Sequence, residues 1–188
     1  MLVAEMLAIH FCSDRRECIA VLTELLDEVR RRVSGNLSVL PEDAARIFIV
    51  NPATDMRLMN LLEDCGGRVC GTEYLFSHAL DEIPTDVEPM ESLARMMMSD
   101  TMIGPASQRA DRICRDISAF GAEGVLIARI PGASHCAIEG AIITSVVRTR
   151  LGLPVVEVEV PPVIDAFIPT IRTRIEGLVE TVKFARKK

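Results

Sequence analysis

The chain has 188 residues, a formal net charge of −6 and only 4% aromatic residues, with no tryptophan. This length allows one full hydrophobic core, and an acidic chain without a basic stripe or stacking aromatics is unsuited to binding nucleic acid. No apolar run reaches the ~20 residues of a membrane span, and residues 1–11 lack the basic start and cleavage site of a signal peptide, so we predict a cytoplasmic protein.

The N-terminal region is predicted to be helical. Met1–Phe11 is mostly apolar and needs a partner surface. Asp14 followed by Glu17 is typical of a capping box at the start of a second helix, Glu17–Val33, and Gly35 ends it. We therefore predict a helical appendage over residues 1–40 and an α/β domain over residues 41–188.

The first half of the α/β domain reads as strand, helix, strand. Residues 46–50 and 68–72 are rich in β-branched and apolar residues, and a helix is predicted between them over residues 55–64, ended by Gly66-Gly67. The loop Asn51–Thr54 then follows the carboxyl end of the first strand.

The middle of the chain contains acids, prolines and methionines. Five acids between Glu73 and Glu88 predict a surface loop, which also carries His78. Residues 90–98 are predicted to be helical, and core filling is favoured over a partner surface for Met96–Met98. A further helix over residues 108–120 is expected to bury Ile113, Cys114 and Ile117.

A second strand–helix–strand unit follows. Residues 124–130 form a short apolar run that ends at Pro131-Gly132, and residues 137–151 carry apolar side chains at helical spacing, among them Ile138 and Ile142. Gly152 ends that helix, residues 155–160 form the last strand, and a final helix begins near Ile168.

Four strands separated by helices predict a flavodoxin-like, three-layer, doubly wound parallel sheet of order 2-1-3-4, with the N-terminal helices as an extra layer. In this topology the loops Asn51–Thr54 and Pro131–Cys136 face one crevice, because they follow the two strands that flank the switch point. No glycine-rich phosphate-binding fingerprint is found.

Cys136 is the candidate reactive residue of this crevice. Of the six cysteines none form a CxxC pair, and core packing is the ordinary expectation for each. At the start of a helix, however, the dipole favours the thiolate of Cys136. With His135 it is a candidate thiol-dependent catalytic pair, and Asn51, Thr54 and His135 line the crevice; its role as a metal or cluster ligand follows from the family resemblance of the C-terminal part of the chain.

The C-terminal part of the chain resembles the 2-hydroxyacyl-CoA dehydratase and benzoyl-CoA reductase subunit family. The matching residues are Gly124-Val125-Leu126, Cys136, Leu153–Glu159 and the string IRTRIEGLVE that begins at Ile171. Residues 46–67 are similar to the preceding α/β unit of that family, so the resemblance covers about residues 40–185.

This resemblance implies a [4Fe–4S] cluster held by three cysteines and radical dehydration of a 2-hydroxyacyl-CoA, or ring reduction of benzoyl-CoA, in anaerobic metabolism. The implied partners are a homologous or longer dehydratase-type subunit and an ATP-dependent iron–sulfur activator, in an oligomer. Thiolates from separate loops suit such a cluster.

The chain departs from this pattern at two of the three cysteine positions. Asn51-Pro52 and Met102-Ile103-Gly104-Pro105 stand where the family has cysteines, and Cys136 alone matches. The chain is also shorter than the usual subunit, which indicates a diverged or truncated member. Two functions follow: a dehydratase-type subunit with Cys136 as a cluster ligand, or a non-catalytic flavodoxin-like binding or assembly subunit that uses Met1–Phe11 and Met96–Met98 as its partner surface.

Overall fold

The computed structural model describes residues 14–51, 55–73, 83–100 and 103–187, with the backbone alone at 134–137. The chain divides into two compact units, Met1–Glu42 and Asp43–Lys188. In the first unit, helix α1 (Arg15–Ser34) begins at the predicted cap: the Asp14 carboxylate accepts hydrogen bonds from the backbone N–H groups of Arg16 (2.9 Å) and Glu17 (3.3 Å). These bonds satisfy two N–H groups that a helix start leaves without partners.

The second unit is a four-stranded parallel sheet of order β2-β1-β3-β4, which confirms the predicted topology. Its elements in chain order are β1 (Ala45–Val50), α2 (Arg57–Asp64), β2 (Gly67–Glu73), α3 (Pro89–Ser99), α4 (Ala106–Ala119), β3 (Gly124–Arg129), α5 (Ser134–Leu151), β4 (Val155–Glu159), a 3₁₀ turn (Asp165–Phe167) and α6 (Ile168–Ala185). Among the helices that the structure describes, none combines the length and apolar character needed to cross a membrane.

Helices cover both faces of the sheet, which explains why its central strands are apolar on both sides. On one face, α4 and α5 pack against side chains of β1, β3 and β4; the largest buried members of this core are Phe48, Ile113, Ile117, Ile127 and Ile143. On the other face lie α2 and α6, with Leu58, Leu62, Ile171, Ile175, Leu178 and Val182 buried. The predicted burial of Ile113, Cys114 and Ile117 in α4 is confirmed.

Arg186 attaches the end of α6 to the amino end of the sheet. Its Nε donates to Glu123 Oε1 (2.7 Å), and its guanidinium also donates to the carbonyls of Asp43 (2.8 Å) and Ala44 (3.0 Å). The other Glu123 oxygen accepts the Arg46 backbone N–H at 3.0 Å. The hydrogen bonds from Arg186 hold the pKa of the Glu123 carboxyl below its usual range.

The methionine helix α3 departs from its predicted role. Ser92 is the one buried residue of α3, and Met97 and Met98 are 60% and 68% exposed. The prediction that Met96–Met98 fill the core is therefore wrong for two of the three, because α3 buries Ser92 and leaves Met97 and Met98 exposed to solvent.

Two glycines provide a matched test of packing in this unit. A Cβ at Gly124 would lie 2.9 Å from Val182 Cγ2 and 3.1 Å from Ile47 Cδ1, whereas a Cβ at Gly177 in α6 meets nothing within 4 Å. We expect Gly124→Ala to lower the free energy of unfolding by about 2 kcal/mol through overpacking. Gly177→Ala should raise it by about 1 kcal/mol, because alanine favours the helix. Urea unfolding measures both; a loss of stability in Gly177→Ala would contradict this account of α6.

Candidate functional site

The carboxyl ends of β1 and β2 meet at a buried arginine. Asn51 follows β1 directly with φ of 67°, and Glu73 is the last residue of β2. Arg109 comes from the first turn of α4 and Glu139 from the second turn of α5. Arg109, Glu73 and Asn51 are 3%, 2% and 0% exposed. These four residues are called the Arg109 cluster below.

Arg109 uses both edges of its guanidinium in this cluster. Nε donates to Glu73 Oε1 at 2.9 Å and Nη2 to Glu73 Oε2 at 2.8 Å, which is a bidentate ion pair. Nη2 also donates to Asn51 Oδ1 at 2.6 Å, and Nη1 donates to Glu139 Oε2. Asn51 Nδ2 in turn donates to the Ala128 carbonyl of β3 at 2.9 Å. The cluster thereby joins β1, β2, β3, α4 and α5.

The electrostatics of the cluster favour a permanent ion pair. Burial disfavours the charged guanidinium, but the hydrogen bonds and charges of Glu73 and then Glu139 outweigh burial, so the pKa of Arg109 lies above its ordinary value. One cation faces two carboxylates, and the Glu139 side chain is 23% exposed. The surplus negative charge therefore has access to solvent through Glu139, while Glu73 is neutralised in the interior.

A second ionic contact joins two loops at the same edge. Arg57, the first residue of α2, donates from Nη1 and Nη2 to the two Asp165 carboxylate oxygens at 3.1 and 3.0 Å, and from Nε to Asp55 at 3.0 Å. The hydrogen bond from Arg57 holds the pKa of the Asp55 carboxyl below its usual range. The loops that follow β1 and β4 are thus tied together across the end of β3.

Of the predicted site residues, the structure describes Asn51 completely and the others only in part or not at all. Asn51 lies inside the Arg109 cluster, with its side-chain amide hydrogen-bonded at both ends. Thr54 and the loop with His78 lie outside the described residues. His135 and Cys136 belong to the first turn of α5, at the carboxyl edge of the sheet, and their side chains are outside the described part of the structure.

The cysteines whose side chains the structure describes do not form the thiolate set that an iron–sulfur cluster requires at this edge. Cys65 ends α2 at the amino edge of the sheet, Cys70 lies within β2, and Cys114 is buried in the middle of α4. Cys136, the cysteine predicted at this edge, lies in the first turn of α5, and its side chain is outside the described part of the structure. Within the described residues, no group of three or more His, Cys, Asp or Glu side chains is placed to hold a metal ion.

Sequence reasoning missed Arg109 and misplaced Glu73. Glu73 was expected on the surface with the neighbouring acids, but it is 2% exposed, so that expectation is wrong. A signal was present for Arg109: it lies four residues before Ile113, on the apolar stripe of α4, where an arginine needs a buried partner. Nothing comparable identified the partner, since Glu73 lies 36 residues away.

A cavity of about 210 Å³ lies beside the Arg109 cluster. Gln108, Arg109 and Arg112 of α4 line one side, and Ser99 and Asp100 at the end of α3 line the other. Arg112 Nη1 donates to the Ser99 carbonyl at 2.7 Å, so part of this wall is held by a hydrogen bond between the two helices.

Comparison with known proteins gives one family. The family model described as 2-hydroxyglutaryl-CoA dehydratase, D-component, matches residues 1–182. No curated protein sequence matches the chain. The matched range includes all four strands of the sheet and every member of the Arg109 cluster.

Proposed function

Since the chain belongs to the 2-hydroxyglutaryl-CoA dehydratase D-component family, as its sequence resemblance predicted, we propose that it is a non-catalytic binding or assembly subunit of a dehydratase-type complex. In this proposal its own sheet edge holds no iron–sulfur cluster. The observation that carries the proposal is the Arg109 cluster, which occupies the end of β1 with a buried ion pair.

The chemistry of this edge supports the proposal. By resemblance, the family has a cysteine directly after the first strand, where this chain has Asn51. The Asn51 side chain is buried, accepting a hydrogen bond from Arg109 through Oδ1 and donating one to Ala128 through Nδ2, so both of its polar atoms already have partners within the protein. A guanidinium held by Glu73 and Glu139 stabilises the fold at this edge and supplies no soft ligand for iron.

An anaerobic iron measurement tests the proposal. The chain is purified anaerobically, treated with ferrous iron and sulfide, and analysed for bound iron, acid-labile sulfide and its visible spectrum. We expect no stoichiometric iron or sulfide in the isolated chain. A cluster that forms in the wild type and in Cys65→Ala, but not in Cys136→Ala, would overturn the proposal.

A second candidate function is favoured by the position of Cys136. The first turn of the 18-residue helix α5 lies at the carboxyl edge, where a helix N-terminus favours a thiolate. Cys136 would then complete a [4Fe–4S] cluster whose other ligands come from a longer, cysteine-rich subunit. Such a cluster would supply the electron for radical dehydration of a 2-hydroxyacyl-CoA, after reduction by an ATP-dependent activator.

The two functions differ in the assembled complex. Co-purification with a cysteine-rich dehydratase-type subunit, followed by iron analysis, compares the wild type with Cys136→Ala. An assembly subunit keeps both the complex and its iron content in Cys136→Ala. A shared cluster predicts that the complex still assembles but loses a cluster's iron.

A further inference from the structure

Strand β4 is an edge of the sheet, and half of its backbone groups face away from β3. The N–H of Val125 donates to the Pro154 carbonyl (3.0 Å), and the N–H of Val160 donates to the Arg129 carbonyl (2.8 Å). Even-numbered residues of this segment therefore bond to β3. The odd-numbered residues Val155, Glu157 and Glu159 direct their backbone groups to the outer edge.

Two of these three outward carbonyls, those of Val155 and Glu157, accept hydrogen bonds from arginine side chains. Arg148 Nη2, near the end of α5, donates to the Val155 carbonyl at 2.9 Å. Arg174 Nη1, in α6, donates to the Glu157 carbonyl at 3.1 Å. Because α5 and α6 lie on opposite faces of the sheet, one arginine reaches the edge from each side.

We propose that Arg148 and Arg174, by covering the Val155 and Glu157 carbonyls, hinder strand addition at the β4 edge by a second copy of this chain. An unpaired edge offers free carbonyl and N–H groups to another strand, and charged side chains at such an edge are a means of preventing this pairing. The sequence of β4, VVEVE, is rich in β-branched residues, which favour strand pairing.

The surroundings of the edge leave room for such a strand. A groove of about 400 Å³ runs along the carboxyl half of β4, with Val158, Phe167 and Ile171 providing apolar lining and Arg174 at its side. An added strand would place side chains in this groove once Arg174 no longer covered the Glu157 carbonyl. A second copy of the chain is the proposed partner strand, because it presents the same β-branched strand and the same groove.

The test is a double substitution with a charge-matched control. Arg148→Ala with Arg174→Ala uncovers both carbonyls. Arg150→Ala with Arg172→Ala removes the same charge from the same two helices, but Arg150 pairs with Asp111 and Arg172 with Glu176. Light scattering coupled to size-exclusion chromatography gives the molar mass over a concentration series, and circular dichroism checks folding.

We expect the molar mass of the edge variant to exceed that of the wild type and to rise with concentration, while the control variant keeps the wild-type mass. An edge variant that is folded and has the wild-type mass at every concentration would overturn the proposal. If the double variant does not fold, Arg174→Ala alone is tested with a labelled synthetic peptide of residues 154–160. Binding to this variant and not to the wild type supports the proposal; the same result for both proteins refutes it.

Discussion

Arg109→Met is expected to lower the free energy of unfolding by about 3–5 kcal/mol, because it leaves a buried carboxylate without its cation. Glu73 is 2% exposed and receives two hydrogen bonds from Arg109, at 2.9 and 2.8 Å. Methionine fills most of the volume of the arginine stem, so the loss arises mainly from the uncompensated charge and less from a cavity.

Urea unfolding with matched variants separates charge from packing. Arg115→Met removes an exposed arginine from the same helix and should change stability by less than about 0.5 kcal/mol. Arg109→Met combined with Glu73→Met removes the whole buried pair and should regain much of the loss, because hydrophobic replacement of a buried ion pair is close to neutral. If the double variant were as unstable as the sum of both single variants, the ion pair would not be the source of the effect.

The order of the strands could be predicted because each strand has a recognisable pattern in its own stretch of sequence. Residues 46–50 and 124–130 are short apolar runs that end at turn residues, and the right-handed crossover rule then leaves few possible strand orders. The structure gives the order β2-β1-β3-β4, as predicted. Local patterning and connection rules together were sufficient for this level of the fold.

The sequence predicted helix α5 but did not predict which of its faces is buried. Ile138 and Ile142 lie at helical spacing, yet they are 70% and 40% exposed, whereas Ile143 and Val147 are fully buried. Apolar residues surround most of this helix, so periodicity alone does not select one face. Packing of α5 against α4 and β3 determines which face is buried.

The Arg109 cluster depended on information that no local pattern contains. Arg109 and Glu73 are separated by 36 residues, and Arg109 and Asn51 by 58. The position of Arg109 on the apolar stripe of α4 indicates that it needs a buried partner, but nothing local identifies that partner. Only the crossover from β2 to β3 brings α4 over the ends of β1 and β2. The sequence placed Asn51 at the correct edge, but its partners follow from the three-dimensional fold.

Asn51→Ala is expected to lower the free energy of unfolding by about 3 kcal/mol, through two separate effects. The substitution removes the acceptor of Arg109 Nη2 and the donor to the Ala128 carbonyl, and a buried polar group that loses its partner costs about 1–3 kcal/mol. It also places alanine at φ of 67°, a left-handed conformation that costs a residue with a Cβ about 1–2 kcal/mol.

Asn51→Gly separates these two effects, because glycine loses the same hydrogen bonds but adopts positive φ freely. In urea unfolding we expect Asn51→Gly to be more stable than Asn51→Ala by about 1–2 kcal/mol and still less stable than the wild type. Asn60→Ala, an exposed substitution in α2, should stay within about 0.5 kcal/mol of the wild type. Wild-type stability in Asn51→Gly would mean that the side-chain amide contributes nothing to the Arg109 cluster. The end of β1 would then be joined to the Arg109 cluster through the hydrogen bond from the Asn51 backbone N–H to Glu73 Oε2, at 3.4 Å.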